Sequence, residues 1–130
     1  MSVSVRYYSR SGNTKMLAEA IAKSACVKAI SVDSDEAKIS EKVDVLFIGG
    51  ALYAYGLDTK LQEYLSTLNV ENVEKAVVFS TSWISKHSVE LIKKALKEKG
   101  IKVEEEYFYV KNKPTEKQIE EAESFAKKFI

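Results

Sequence analysis

Cysteine and histidine are almost missing from this 130-residue chain, which holds one of each, Cys26 and His87. A lone cysteine closes no internal disulfide, and the two together are too few for a Cys/His zinc site. The chain is therefore expected to be a reduced, cytosolic and metal-free protein. Long apolar runs are missing as well. The opening residues MSVSVRYYSR have no signal-peptide core, and no stretch approaches the ~20 apolar residues that span a bilayer. Neither secretion nor membrane insertion is expected. Net charge is scarce too, since 20 Lys and Arg against 19 Asp and Glu leave +1. That is too weak a field to gather nucleic acid or an anionic surface. With one proline, Pro114, and only five glycines, each backbone breaker marks a particular turn.

What is present is 45% apolar and 30% charged residues, the balance of a single soluble domain expected to occupy residues 1–130. Val3, Val5 and Tyr7 alternate with polar neighbours, which predicts a strand that runs into the turn-rich Ser9-Arg10-Ser11-Gly12-Asn13-Thr14. From Lys15 onward Leu17, Ala20, Ile21 and Ser24 fall at helical spacing, up to Val27. Residues 28–32 read as a second strand, and residues 33–42 as a polar connection with room for a turn or two of helix. Residues 43–50 form a nearly continuous apolar run ended by Gly49 and Gly50, the pattern of a strand covered on both faces. Leu57, Leu61, Tyr64, Leu65 and Leu68 share one helical stripe, with Asp58 or Thr59 as N-cap.

Residues 76–79 repeat the buried-strand pattern. A helix from about Ser85 to Lys99 follows, with Val89, Ile92 and Leu96 on one face and Gly100 at its end. Residues 102–110 alternate as a half-exposed edge strand does. Thr115 and Gln118 then form a capping box ahead of a final amphipathic helix carrying Ile119, Ala122, Phe125 or Ala126, and Phe129. Five strands alternating with about five helices imply right-handed crossovers and a three-layer, doubly wound α/β fold around a parallel five-stranded sheet. Ligands of such sheets bind beyond the carboxyl ends of the strands, where the winding reverses. Three loops lie there, at residues 9–14, 49–58 and 80–86.

The first loop gathers hydroxyls from Ser9, Ser11 and Thr14, the Asn13 amide and Gly12 just before a helix N-terminus. Free N–H groups and the positive end of the helix dipole can hold a phosphate there. The same residue types also make ordinary turns and caps. The loop matches neither the nucleoside-triphosphate pattern G-x-x-x-x-G-K-[ST] nor G-x-G-x-x-G. The second loop, Gly49-Gly50-Ala51-Leu52-Tyr53-Ala54-Tyr55-Gly56-Leu57, carries two tyrosines, and the third places Trp83 after Ser80, Thr81 and Ser82. Two aromatic loops can sandwich a flat heterocycle, although each cluster alone is more commonly explained by packing. Cys26 lies at the far end of the first helix and reads as a small core residue. His87 reads as a surface or capping residue. With one histidine and only Asp58 as a loop acid, no acid–base pair or triad can be assembled.

Ser9-Arg10-Ser11-Gly12-Asn13-Thr14 resembles the [S/T]-x-[S/T]-G-N-T phosphate loop of the flavodoxins, and the resemblance covers the whole chain. It implies strand order 2-1-3-4-5 and, because residues 102–110 are uninterrupted, the short-chain form. It implies FMN as cofactor, with the phosphate in the loop of residues 9–14 and the isoalloxazine between Ala51, Leu52, Tyr53, Ala54, Tyr55 and Gly56 on one side and Thr81, Ser82 and Trp83 on the other. Gly56 is then the candidate for the peptide that turns toward the flavin on reduction. The implied function is electron transfer by a small module, expected to be monomeric, that cycles its flavin with transient protein partners. Two features depart from the electron-shuttling pattern. The chain is near neutral rather than strongly acidic, with Arg10, Lys15, Lys60 and Lys86 placed near the cofactor rim, and Arg6 on the first strand calls for a carboxylate partner or an exit to solvent.

Two alternatives compete. Residues 48–56 and the helix after them also resemble the FMN oxidoreductases related to quinone-dependent protoporphyrinogen dehydrogenase, but the extra segment after strand four is missing here, leaving little room for an organic-substrate pocket. A flavin-free, receiver-like interaction domain shares the strand order and the Lys113-Pro114 pair. It would need acidic residues after strand one and an aspartate after strand three, where this chain has Ser9-Arg10-Ser11 and Gly49-Gly50. Lys113-Pro114 then reads as a turn leading into a helix.

Overall fold

A computed structural model describes residues 1–53, 56–83 and 85–130. The chain runs β1 (Val3–Tyr7), α1 (Asn13–Ala25), β2 (Ala29–Ser31), β3 (Val43–Tyr53), β4 (Gly56–Leu57), α2 (Thr59–Thr67), β5 (Val73–Thr81), α3 (His87–Glu98), β6 (Val103–Val110) and α4 (Glu116–Lys127). The main sheet is parallel in the order β2-β1-β3-β5-β6, and β4 pairs antiparallel with the end of β3. With that short hairpin strand set aside, the order is the expected 2-1-3-4-5.

Period-two alternation in β3 and β5 divides the core between the two faces. Val5, Phe47 and Val77 lie in register and pack with Leu17, Ile21, Ala122 and Phe125, the inward residues of α1 and α4. Leu46, Ile48 and Val78 point the other way, against Leu61, Leu65, Ile92 and Leu96 of α2 and α3. Each of these large side chains contributes about 1.5–3 kcal/mol by leaving water. β6 lies at the edge and is half-exposed, as its alternation predicts. The capping box at the start of α4 forms as read: Gln118 N–H donates to Thr115 Oγ1, and Thr115 N–H to Gln118 Oε1.

The structure corrects several expectations. Residues 33–42 hold only a 3-10 turn, Asp35–Ala37, so among the described residues there are four α-helices rather than about five. Gly49 and Gly50 do not end β3, which continues to Tyr53. They are sites of close approach inside the sheet: a Cβ on Gly49 would come within 2.3 Å of the Phe79 ring, and one on Gly50 within 2.3 Å of Leu61. Leu57 belongs to β4 and not to the helix that follows it. Cys26 is exposed rather than in the core, because it takes the left-handed conformation (φ 57°) that ends α1 and turns the chain out of it. Arg6 is buried, and its partners are carbonyl oxygens, not a carboxylate. Its Nε donates to Ala37 O at 2.9 Å, its Nη1 to Val5 O at 3.1 Å, and the Tyr64 hydroxyl donates to the same Ala37 oxygen at 2.6 Å.

Candidate functional site

β1 leaves the sheet between β2 and β3, so the loop after it emerges where the connections diverge to opposite faces. Helix α1 starts there on Gly12, whose φ of 94° is a left-handed conformation that a Cβ would strain. The N-cap glycine has no side chain with which to cap this helix, and the first turn holds no acid. Beyond the Asn13 amide, its leading N–H groups and dipole are open to an outside anion. Ser9 Oγ accepts the Gly12 N–H at 2.9 Å and Ser11 Oγ the Asn13 N–H at 3.3 Å. With the oxygens engaged as acceptors, both hydroxyl hydrogens remain to donate. Backbone and side chains thus present donors, the chemistry a phosphate dianion needs.

Thr14 is buried, and its Oγ1 lies 2.6 Å from Thr81 Oγ1 at the end of β5, so the first and third loops meet through two hydroxyls. The end of β5 is fixed further. Ser80 Oγ donates to Gly50 O at 2.5 Å and therefore receives its 2.6 Å bond from Ser88 Oγ of α3. Ser82 N–H donates to Val110 O, and the Tyr109 hydroxyl donates to Ser82 O. On this fixed base Trp83 stands 69% exposed. The paired strands β3 and β4 carry Ala51, Leu52 and Tyr53 on one side and Gly56, at φ 110°, on the other. Ala54 and Tyr55, also expected to line the site, lie outside the described residues.

Arg10 joins the first loop to the hairpin. Its guanidinium lies 3.9 Å from the centre of the Tyr53 ring, its N–H donates to the Tyr53 hydroxyl at 3.3 Å, and its Nε and Nη2 reach Asp58 Oδ2 at 2.7 and 2.5 Å. The other Asp58 oxygen accepts Lys60 N–H at 2.8 Å and so caps α2. Burial alone would raise the Asp58 pKa, but the Lys60 amide and the Arg10 guanidinium outweigh it and hold the carboxyl below the ordinary aspartate value. Burial raises the Tyr53 phenol above its usual value, against the pull of Arg10. Sequence reasoning placed Arg10 near the rim and saw Asp58 as a cap, but missed their pairing. The signal available was one cation and one acid in facing loops.

His87 opens α3 in an exposed position, with Nδ1 3.0 Å from Glu90 Oε2. A cavity of about 790 Å³ between α2 and α3 is floored by Leu52, Leu57, Leu65 and Leu91, where the sequence left little room for an organic pocket. It touches Tyr53 and Gly56 but none of residues 9–14. Among the described residues no cluster of three or more His, Cys, Asp or Glu is placed to hold a metal ion, and no helix is long and apolar enough to cross a membrane.

The fold superposes on solved structures over nearly the whole chain. A flavodoxin from the domain Archaea matches with TM-score 0.87 at 23% identity, covering 99% of this chain and 96% of that one. Oxidised flavodoxin 1 from Bacillus cereus matches with TM-score 0.81 at 24% identity, covering 99% and 97%. Rubredoxin oxygen:oxidoreductase from Desulfovibrio gigas matches with TM-score 0.82 at 20% identity over 98% of this chain but 34% of its own. No curated protein matches the sequence. At these identities the superpositions speak for the fold alone, and the lineage comes from the sequence itself: the family model of the flavodoxin domain matches residues 4–121, and the chain belongs to the flavodoxin family.

Proposed function

We propose that this chain binds FMN at the carboxyl edge of its sheet and carries electrons between transient protein partners. The observation that carries this reading is the start of α1: a helix N-terminus on a glycine, led in by a loop whose Ser9 and Ser11 oxygens accept internal N–H groups and so keep their own hydrogens to donate. A phosphate monoester suits that donor set, and the aromatic residues Tyr53 and Trp83 lie on the two loops that flank it. Ser9, Ser11, Gly12, Asn13 and Thr14 would hold the phosphate. Ala51, Leu52, Tyr53 and Gly56 would line one side of the ring, and Thr81, Ser82 and Trp83 the other.

FMN supplies one- and two-electron redox chemistry that no side chain here provides. The residues bind and orient. Thr14 and Thr81 keep the phosphate loop in register with β5, and the bonds from Ser88 and Tyr109 hold the loop that carries Trp83. Gly56, with a positive φ and open space where a Cβ would point, allows the backbone there to come close to a ring. The exposure of Trp83 leaves the outer edge of the site accessible to a partner protein.

The test is an absorbance spectrum of the purified protein after addition of FMN and removal of free ligand, followed by stepwise anaerobic reduction. Retained flavin that reduces in two separate steps is the expected result. Protein that retains no flavin overturns the reading.

A further inference from the structure

A cation in the middle of a phosphate-binding loop ought to reach for the phosphate, yet Arg10 is turned away from that task. It spends two nitrogens on one Asp58 oxygen, at 2.5 and 2.7 Å, and places its guanidinium carbon over the Tyr53 ring, 3.9 Å from the centroid. The three residues come from three elements: the first loop, the end of β3 and the N-cap of α2. Asp58 is 8% exposed and also bonded to the Lys60 amide, so the carboxylate is fixed, and the more exposed Arg10 takes its position from it. As a pair the two groups contribute no net charge to the loop.

We propose, on the basis of the FMN reading above, that Arg10 and Asp58 are positioning residues that set the balance between phosphate and ring recognition. The ion pair cancels the Arg10 charge, so that phosphate is held by neutral donors alone. The stacked guanidinium fixes Tyr53, and with it the ring side of the site, to the phosphate loop. Removing Asp58 frees a cation beside the phosphate and loosens Tyr53. Removing Arg10 leaves an uncompensated carboxylate there and loosens Tyr53 equally. The two substitutions therefore damage ring binding alike and move phosphate binding in opposite directions.

The experiment compares dissociation constants for FMN and for riboflavin, which lacks the phosphate, in the wild type, Asp58→Asn, Arg10→Gln and the double variant, each at low and high salt. Asn still caps a helix, so α2 survives the first substitution, and thermal unfolding checks that every variant folds. Riboflavin affinity is expected to fall severalfold in both single variants. The ratio of FMN to riboflavin affinity is expected to rise about tenfold in Asp58→Asn, to fall about tenfold in Arg10→Gln, and to return toward the wild-type value in the double variant. Added salt should shrink both departures. Hydrogen exchange at the amides of residues 51–53 should rise in both single variants even without flavin. Ratios that stay put or move the same way overturn the proposal while leaving FMN binding intact. A wild type that retains neither flavin overturns the FMN reading and the role of the clamp with it.

Discussion

Helices α1 and α4 lie on the same face of the sheet and share one core, but they begin in opposite ways. Helix α4 satisfies its own N-terminus: Thr115 and Gln118 exchange side-chain bonds with each other's amides, and Glu116 sits in the first turn where a negative charge suits the dipole. Helix α1 does none of this. It starts on a glycine, carries Lys15 where α4 has Gln118, and its nearest threonine hydroxyl turns inward to Thr81. The α4 start is a finished local structure, and the α1 start is finished only by something outside the helix. Part of that is the sheet, through Thr81, and part is the anion we assign to it. The difference shows how one fold uses the same physics to close one helix end and to leave another open to an outside partner.

The contrast can be broken most forcefully at Thr14. Valine there keeps the shape but leaves the buried Thr81 hydroxyl without its partner, and unfolding in urea should show a loss of about 1–3 kcal/mol. Replacing both threonines by valine should recover most of that loss, since neither hydroxyl is then stranded. Recovery in the double variant would establish that the α1 start is held by a contact across 67 positions of sequence. If each valine instead costs the same whichever residue stands opposite, the start of α1 is as local as that of α4. The matching change on α4, Thr115→Ala, should cost about 1 kcal/mol and be repaired by serine. It should leave FMN affinity unchanged, because Thr115 belongs to none of the three loops of the site.

What could be read in advance divides along the same line. The capping box, the amphipathic stripes of α1, α3 and α4 and the buried strands are local patterns, and residue types three or four apart declare them. The parallel, doubly wound class followed from alternation and crossover handedness, but the strand order came only through the family resemblance that residues 9–14 carry. The contacts between distant residues stayed hidden. Nothing in the sequence says that Arg10 pairs with Asp58 48 positions away, or that Arg6 finds the Ala37 carbonyl. Glycine misled in one place. Gly49-Gly50 reads as a strand end because glycine usually marks turns, whereas here it makes room for Phe79 and Leu61 against a strand that continues. Cys26 misled in the same manner, since a small apolar residue at a helix end reads as core until the left-handed turn exposes it.

The smallest expected effect is also the cleanest separation of the two helix starts. Lys15 and Glu116 are both exposed first-turn residues, so changing either alters charge near a dipole with little change in packing. Lys15→Glu gives α1 the kind of acid that α4 already has, and the ligand-free protein should gain about 0.3–1 kcal/mol at low ionic strength. Glu116→Gln removes that feature from α4 and should lose a similar amount. In stability the two changes mirror each other. In binding they should not, because the new carboxylate competes with phosphate for the α1 dipole and weakens FMN, while the α4 change leaves FMN affinity as it was. Riboflavin supplies the control: with no phosphate to repel, its affinity should be nearly indifferent to Lys15→Glu. If FMN and riboflavin weaken together in that variant, the charge is acting on the ring or on the fold, and the open end of α1 is not where the phosphate sits.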